Sequence, residues 1–212
     1  MFNKFHKNDY KIKNDLKNFA NHNFLGKILK PFFKDLYKLV YVYLPQPRDF
    51  LLKKLPKKGI FGEVGVYNGD FSQRIETICK PSELYLIDPW QAILSRKEEK
   101  YNQASQDRRY EKVVSQFRKQ VADKRIHIVR QTSDKAVTDF SDNFFDFLYI
   151  DGDHSYEQVK KDINNYYYKV KSGGLLCGDD YNIDGVRKAV DEFVKNKNLQ
   201  LEVKNFQFVI KK

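Results

Sequence analysis

The stretch that decides the fold runs from residue 59 to residue 72 and reads GIFGEVGVYNGDFS. Its first six residues are mostly apolar and β-prone, which predicts a buried strand over 59–64. Glycines at positions 65 and 69 then interrupt the apolar run, and a helical pattern follows from Phe71. A strand, a glycine-rich turn and a helix in this order are typical of the first unit of a parallel α/β sheet.

Short β-prone runs and helical stretches alternate along the rest of the chain. The other predicted strands are 84–87, 126–129, 144–150 and 175–177, and the predicted helices are 92–122, 155–170 and 184–197. Two final runs, 199–203 and 206–210, predict a closing hairpin. We therefore expect an α/β fold: a doubly wound, Rossmann-like sheet of seven mostly parallel strands with a C-terminal antiparallel hairpin.

Positive charge is concentrated in the first part of the chain. Residues 1–58 hold 14 Lys and Arg against 4 Asp and Glu, a balance of +10 out of a total of +11 over 212 residues. Residues 59–212 hold the other 25 basic and 24 acidic residues and are nearly neutral. We therefore predict two parts: a basic helical extension over 1–58 and an α/β domain over 59–212.

The extension has apolar residues at helical spacing between positions 25 and 40, with lysines on its other faces. We favour a cap over the domain or a contact with a second subunit, which would make a homodimer. A helix lying on an anionic membrane surface is the alternative. A nucleic-acid arm is the least favoured role, because no RNA-binding motif accompanies the charge.

The sequence gives no sign of secretion or membrane spanning. The first residues are too polar for a secretory signal, and no apolar run reaches the roughly 18 residues that cross a bilayer. Cys79 and Cys177 match no metal or redox spacing and are expected to be buried thiols in a reducing compartment. We expect a cytoplasmic protein, with any membrane contact peripheral and made through residues 1–58.

The glycine-rich turn predicts a site for a nucleotide-like ligand. A dinucleotide site needs a glycine where this turn has Tyr67, whose side chain would obstruct a pyrophosphate. S-adenosylmethionine (SAM) has no pyrophosphate, but its amino-acid end needs a clamp. Glu63, the turn around Gly65 and Gly69, and the helix-start hydroxyl of Ser72 could supply one. A turn that merely joins a strand to a helix is the alternative.

Polar residues also follow the second and third predicted strands. Asp88 could accept hydrogen bonds from both hydroxyls of a ribose, or it could cap a helix ahead of Pro89. Ser133 could meet the edge of an adenine, or it could cap the helix that follows. Together these positions extend the predicted cofactor site along one edge of the sheet.

The fourth predicted strand ends in Asp151, Asp153 and His154, and the fifth ends in Asp179 and Asp180. His154 could remove a proton from a substrate hydroxyl, since the pKa of histidine lies near neutrality; alternatively it orders the turn before the next helix. Asp151, Asp179 and Asp180 would converge at neighbouring strand ends and offer Mg²⁺ a set of oxygen ligands. Without a cation these acids would repel one another unless they are paired or protonated.

These motifs, in this order, resemble class I SAM-dependent methyltransferases over about residues 59–212. The residues that carry the resemblance are Glu63, Gly65, Tyr67, Gly69, Ser72, Asp88, the run Ile150–Tyr156, Gly173, Gly174, and Asp179–Tyr181. The most similar branch is that of small-molecule O-methyltransferases similar to macrocin O-methyltransferase and, more distantly, catechol O-methyltransferase.

The resemblance implies roles for several residues. It places Asp151 in both the cofactor site and the catalytic site, and it implies Mg²⁺ bound by Asp151, Asp179 and Asp180. Metal-dependent members tend to lack a histidine at the position of His154. Related sequences with Asp-Gly-x-His offer the imidazole as the base instead, and Asp153 is the other candidate base.

The expected activity is methyl transfer from SAM to a hydroxyl of a small molecule of the sugar or natural-product type. The sugar preference comes from the resemblance alone. Two alternatives remain: RNA methylation guided by the basic extension, and a non-catalytic protein that binds the cofactor or a membrane surface.

Overall fold

Seven strands form one sheet in a computed structural model that describes residues 46, 48–92 and 98–212. In chain order they are β1 (Ile60–Val64), β2 (Glu83–Ile87), β3 (Ile126–Val129), β4 (Phe145–Ile150), β5 (Val170–Gly178), β6 (Leu201–Lys204) and β7 (Gln207–Lys211). The described α-helices are α1 (Asp49–Leu52), α2 (Asp70–Cys79), α3 (Gln103–Gln116), α4 (Arg118–Ala122), α5 (Ser133–Ala136), α6 (Tyr156–Lys169) and α7 (Asp184–Lys197).

The strand order in the sheet is β3-β2-β1-β4-β5-β7-β6. Strands β1 to β5 pair in parallel, whereas β7 pairs antiparallel with both β5 and β6. The predicted fold class, with its seven strands and C-terminal hairpin, is therefore confirmed. The chain builds outward from β1 to β3, then crosses back to β4, so the order reverses between β1 and β4. Ligands bind at such a reversal in open α/β sheets.

Two predicted elements have different bounds in the structure. β5 begins at Val170, not at Leu175, because its pairing with β4 slips: Phe145 pairs with Val170 and Phe147 with Leu175. Gly173, with φ +80°, lies in the extra segment that the slip creates, so the Ser-Gly-Gly sequence that follows the predicted helix over 155–170 belongs to the strand. The predicted helix over 92–122 is shorter and divided, since α3 begins at Gln103 and ends before Phe117, and α4 begins after it; residues 93–97 lie outside the described residues.

Apolar side chains pack on both faces of the sheet, because successive residues of a strand point to opposite faces. On β4, Phe147 and Tyr149 join a core with Phe71, Ile75 and Phe117. The alternate residues of β4 join a second core on the other face, together with residues of α6 and α7. Cys79 and Cys177 are buried free thiols, as expected. Helices thus cover both faces and leave the edge formed by the strand ends for the site.

Strand register brings the predicted site residues to one edge. Val64 pairs with Ile87 and with Ile150, and Ile150 pairs with Gly178. The residue that follows each of these is a predicted site residue. In that order they are Gly65, Asp88, Asp151 and Asp179. The carboxyl ends of four parallel strands therefore meet where the sequence placed the site.

The described residues from 48 to 212 belong to one compact unit. Within it, α1 buries Leu51 and Leu52 against the core beside α2, so residues 48–55, which we assigned to the extension, pack on the α/β domain. The predicted amphipathic stretch over 25–40 lies outside the described residues, and its cap, dimer and membrane roles stay predictions. Among the described helices, none has both the length and the apolarity needed to cross a bilayer.

Candidate active site

The glycine-rich turn passes very close to the end of β4. Gly65 has φ +90°, and a Cβ built on it would lie 2.1 Å from the carbonyl oxygen of Asp151. The amide of Asp151 donates to the carbonyl oxygen of Val64 at 2.7 Å, which ties the two strand ends together. Only glycine satisfies both the backbone conformation and the spacing. The turn and the acidic end of β4 therefore form one unit.

Asp88 orders the same turn from the β2 side. Its Oδ2 accepts from the amides of Val66 and Tyr67, both at 2.9 Å, and its Oδ1 accepts from the amide of Trp90 at 2.7 Å. A carboxylate that holds three backbone amides fixes the backbone around it. The ribose contact predicted for Asp88 stays a prediction; the structure adds this role in shaping the turn.

Helix α3 closes over the outer side of the turn. Lys112 donates to the carbonyl oxygen of Asn68 at 2.8 Å, and Gln116 donates to that of Gly69 at 3.0 Å. The guanidinium of Arg109 lies 4.3 Å from the ring centre of Tyr67, whose side chain is 51% exposed. The predicted helical stretch after β2 therefore contributes directly to the turn, and Tyr67 forms part of the outer surface of the site.

Glu63 and Ser72 are buried together beneath the turn. The Ser72 hydroxyl donates to Glu63 Oε2 at 2.5 Å, and Glu63 is 2% exposed. Burial raises the pKa of Glu63 to about 8, despite the opposing hydrogen bond from Ser72. Burial therefore favours the protonated form of this carboxyl group. A clamp on a ligand ammonium, as predicted for this pair, would require Glu63 to lose that proton.

Ser133, predicted to meet an adenine, begins α5 and contacts α6. Its hydroxyl oxygen accepts from Gln158 at 3.2 Å, and its carbonyl oxygen accepts from the Tyr166 hydroxyl at 3.0 Å. Asp153 is exposed, and its carboxylate accepts from the amide of Ser155 at 2.6 Å, in the turn that leads into α6. Both residues thus lie at the predicted edge of the sheet and help to shape its loops.

His154 lies between two carboxylates. Its Nε2 is 3.2 Å from Asp180 Oδ2 and 3.6 Å from Asp151 Oδ1. Neither approach has hydrogen-bond geometry, so this buried nitrogen has no hydrogen-bond partner among the described residues. The carboxylate of Asp151, and then that of Asp180, raise the pKa of His154 against the opposing effect of burial. The ring lines a small pocket together with Asp153, Asp179 and Phe208.

Arg48 is a candidate site residue that was not predicted from the sequence. Its Nη1 lies 3.0 Å from Asp151 Oδ2, and its Nη2 forms an ion pair with Asp179 Oδ2. These acids are 103 and 131 residues away along the chain. In the sequence Arg48 is one of many basic residues in a lysine-rich segment. The only indication of it was indirect: neighbouring carboxylates need a positive partner.

The predicted magnesium ligands have other partners in this structure. Arg48 binds Asp151 and Asp179, and Gln207 donates to the second oxygen of Asp179. With Arg48 in place, Asp151, Asp179 and Asp180 do not fit a divalent ion as a set. Asp151, His154 and Asp180 place one possible ligand atom each within 4.8 Å of one another, but exposed acids often cluster in this way without a metal. Magnesium at this edge stays a prediction.

The methyltransferase-domain family model matches residues 63–181, from the acid of the glycine-rich turn to the end of the predicted acidic motif. The chain belongs to this family. Its members and the structural neighbours of this chain are class I SAM-dependent methyltransferases, O-methyltransferases among them. The predicted membership of the class I SAM-dependent methyltransferases is therefore confirmed. The narrower assignment to the macrocin or catechol O-methyltransferase branch stays a prediction.

Solved structures share the fold at low sequence identity. A Staphylococcus aureus protein, provisionally named a caffeoyl-CoA O-methyltransferase, aligns with a TM-score of 0.58, 14% identity, and 96% and 99% of the two chains covered. The O-methyltransferase NovP aligns at 0.55 with 21% identity over 78% and 75%. A Streptococcus mutans protein, provisionally named a methyltransferase and solved with SAH, aligns at 0.54 with 16% identity over 79% and 98%.

One curated relative has higher identity over a short segment. The uncharacterized protein R132 of Acanthamoeba polyphaga mimivirus is 45% identical over 58 residues. That segment spans about a quarter of this chain and about a quarter of the relative, 26% of each. This match indicates that the two chains are related over that segment, and it says nothing about a substrate.

Proposed function

We propose that this protein binds SAM and transfers its methyl group to a hydroxyl of a small molecule. The observation that carries the proposal is the position of His154, whose Nε2 lies between the carboxylates of Asp151 and Asp180 at the ends of β4 and β5, beside the point where the sheet order reverses. This is the part of a doubly wound sheet where ligands bind. A proton acceptor beside a glycine-rich turn is what methyl transfer to an oxygen needs.

SAM supplies the methyl group: the acceptor oxygen attacks it in line, the carbon–sulfur bond breaks, and SAH is left. The chain must align the acceptor and take up its proton. We assign the imidazole of His154 to receive that proton, which gives an imidazolium. The carboxylates of Asp151 and Asp180 then stabilise the new positive charge. Asp153 is the alternative base.

The residues of the turn favour SAM over a dinucleotide. The carboxyl and hydroxyl groups of Glu63 and Ser72 lie beneath the turn, Asp88 lies at its side, and Tyr67 stands where a dinucleotide site needs glycine. The hydroxyl acceptor is favoured by two relatives, since NovP and the Staphylococcus aureus protein carry O-methyltransferase names. A sugar or natural-product acceptor rests only on the resemblance to macrocin O-methyltransferase.

Calorimetry tests the cofactor assignment. The full chain should bind SAM and SAH and give no heat with NAD. Asp88→Ala should weaken SAM binding by about 1–3 kcal/mol, because both the predicted ribose contact and the order of the turn are lost. Asp142→Ala removes an exposed carboxylate that pairs with Lys169 and should leave the affinity unchanged. Binding of NAD instead of SAM, or equal affinity in Asp88→Ala, would overturn the assignment.

The rate of methyl transfer should depend on the protonation of His154. As a base the imidazole must be neutral, and its pKa is raised. We therefore expect kcat/KM to increase with pH and to level off only above the ordinary histidine pKa of about 6.5. Asp180→Asn removes one carboxylate and should move this rise to lower pH. The matched variant Asp184→Asn alters an exposed acid and should leave the pH of this rise unchanged. If Asp180→Asn also leaves the pH of the rise unchanged, the role of His154 as the base is contradicted.

A further inference from the structure

The structure gives the acids at the ends of β4 and β5 a positive partner from within the chain. The Arg48 guanidinium contacts one oxygen of Asp151 and one of Asp179, and it lies 5.0 Å from the ring centre of Phe71 and 5.5 Å from that of Tyr149. Planar guanidinium groups suit both contacts, since they bind carboxylates through two nitrogens and stack on aromatic faces. Arg48 is therefore held on two sides.

The position of Arg48 is set by a buried anchor. Its neighbour Asp49, 5% exposed, accepts a hydrogen bond from Nε of the buried Arg74 at 3.0 Å and forms a second contact with the same guanidinium. Leu51 and Leu52 of α1 are each 1% exposed in the core beside α2. Because this short helix is anchored in the core, Arg48 is held at the ends of β4 and β5 with few alternative positions. The ion pairs of Arg48 are therefore preorganised.

The other contacts of Asp179 also favour a guanidinium over a metal ion. Gln207 donates from its side-chain amide to Asp179 Oδ1, and Gln207 in turn accepts from the hydroxyl of the buried Tyr149. Both oxygens of Asp179 thus have partners from the chain, and one of those partners is already a cation. A divalent ion between Asp151 and Asp179 would face the positive charge of Arg48 directly.

We propose that Arg48 is the resident cation of this site and takes the place of a metal ion between Asp151 and Asp179. It supplies the charge that keeps the two carboxylates together at the strand ends. It is a positioning residue: it holds Asp151 in place, and Asp151 in turn faces His154. One consequence rests on the proposed function, namely that methyl transfer needs no added metal and continues in chelator.

Thermal melting with MnCl2 as the probe tests the proposal without any turnover. The full chain should melt at the same temperature in chelator and in millimolar MnCl2. Arg48→Gln in chelator should melt lower by roughly 5 °C, since the two carboxylates then repel each other. Arg48→Gln/Asp179→Asn should melt higher than Arg48→Gln, because the second change relieves that repulsion. The control Arg187→Gln removes an exposed i,i+3 ion pair and should melt like the unchanged chain.

Two results would overturn the proposal. The first is that MnCl2 raises the melting temperature of the unchanged chain but not that of Asp179→Asn. This result would show that the acids hold a metal. The second is an Arg48→Gln variant that melts like the unchanged chain. Neither result bears on whether the protein binds SAM, so failure of this proposal is distinguishable from failure of the proposed function.

Discussion

Replacing His154 with glutamine should lower kcat by a factor of about 10² to 10⁴, the range that a positioned general base contributes. Glutamine keeps the approximate size of the ring but cannot accept the hydroxyl proton at neutral pH. The affinity for SAM should be nearly unchanged, because the contacts that order the glycine-rich turn come from Asp88 and α3. SAH release, measured with a sugar or natural-product hydroxyl that the unchanged chain methylates, gives kcat, and calorimetry gives the affinity.

His127 provides a matched control for this change. It too is a half-exposed histidine beside a carboxylate, with its Nε2 at 3.1 Å from Glu83, and its ring stacks on Tyr85 at 4.4 Å. It belongs to β3 and lies within the strand, away from the carboxyl edge. His127→Gln should therefore retain turnover. Full activity in His154→Gln together with loss in Asp153→Asn would transfer the role of base to Asp153.

The convergence of the strand-end residues could be predicted from the sequence, because few alternatives exist once the strands are identified. Parallel strands joined by helices must all end at the same edge, and the connections are right-handed. The positions just after the buried runs are therefore candidate site positions. Gly65, Asp88 and Asp151 follow from this rule, Asp179 lies two positions after the predicted fifth strand, and strand register brings all four together. At these positions the local sequence pattern and the topology of the sheet predict the same arrangement.

The partners of these side chains could not be predicted in the same way. Asp88 lies where the sequence placed it, but its bonds to the amides of Val66 and Tyr67 depend on the dihedral angles of the turn. Arg48 reaches the site only because α1 packs into the core through Leu51 and Leu52 and because Asp49 pairs with Arg74. Such long-range packing leaves no periodic signal. The need for a positive charge beside the acids was predictable from electrostatics; its source was not.

Gly65→Ala should be among the most destabilising single changes in the turn. The added Cβ would lie 2.1 Å from the Asp151 carbonyl oxygen and 2.6 Å from the amide nitrogen of Gly152, and backbone atoms cannot rotate away as a side chain can. The φ of +90° adds a conformational penalty for any residue with a Cβ. Together we expect a loss of about 3–5 kcal/mol in the free energy of unfolding, or roughly 10 °C in melting temperature.

Two other glycines separate the causes of that loss. Gly173 has φ +80°, and a Cβ on it would meet no atom within 4 Å, so Gly173→Ala measures the conformational penalty alone. A Cβ on Gly152 would also meet no atom within 4 Å, and no positive φ is involved, so Gly152→Ala should melt within about 2 °C of the unchanged chain. Because the clash is the larger part, Gly65→Ala should melt well below Gly173→Ala. If the two variants melt alike, β1 and β4 can move apart at their carboxyl ends, and the turn does not depend on its close contact with Asp151.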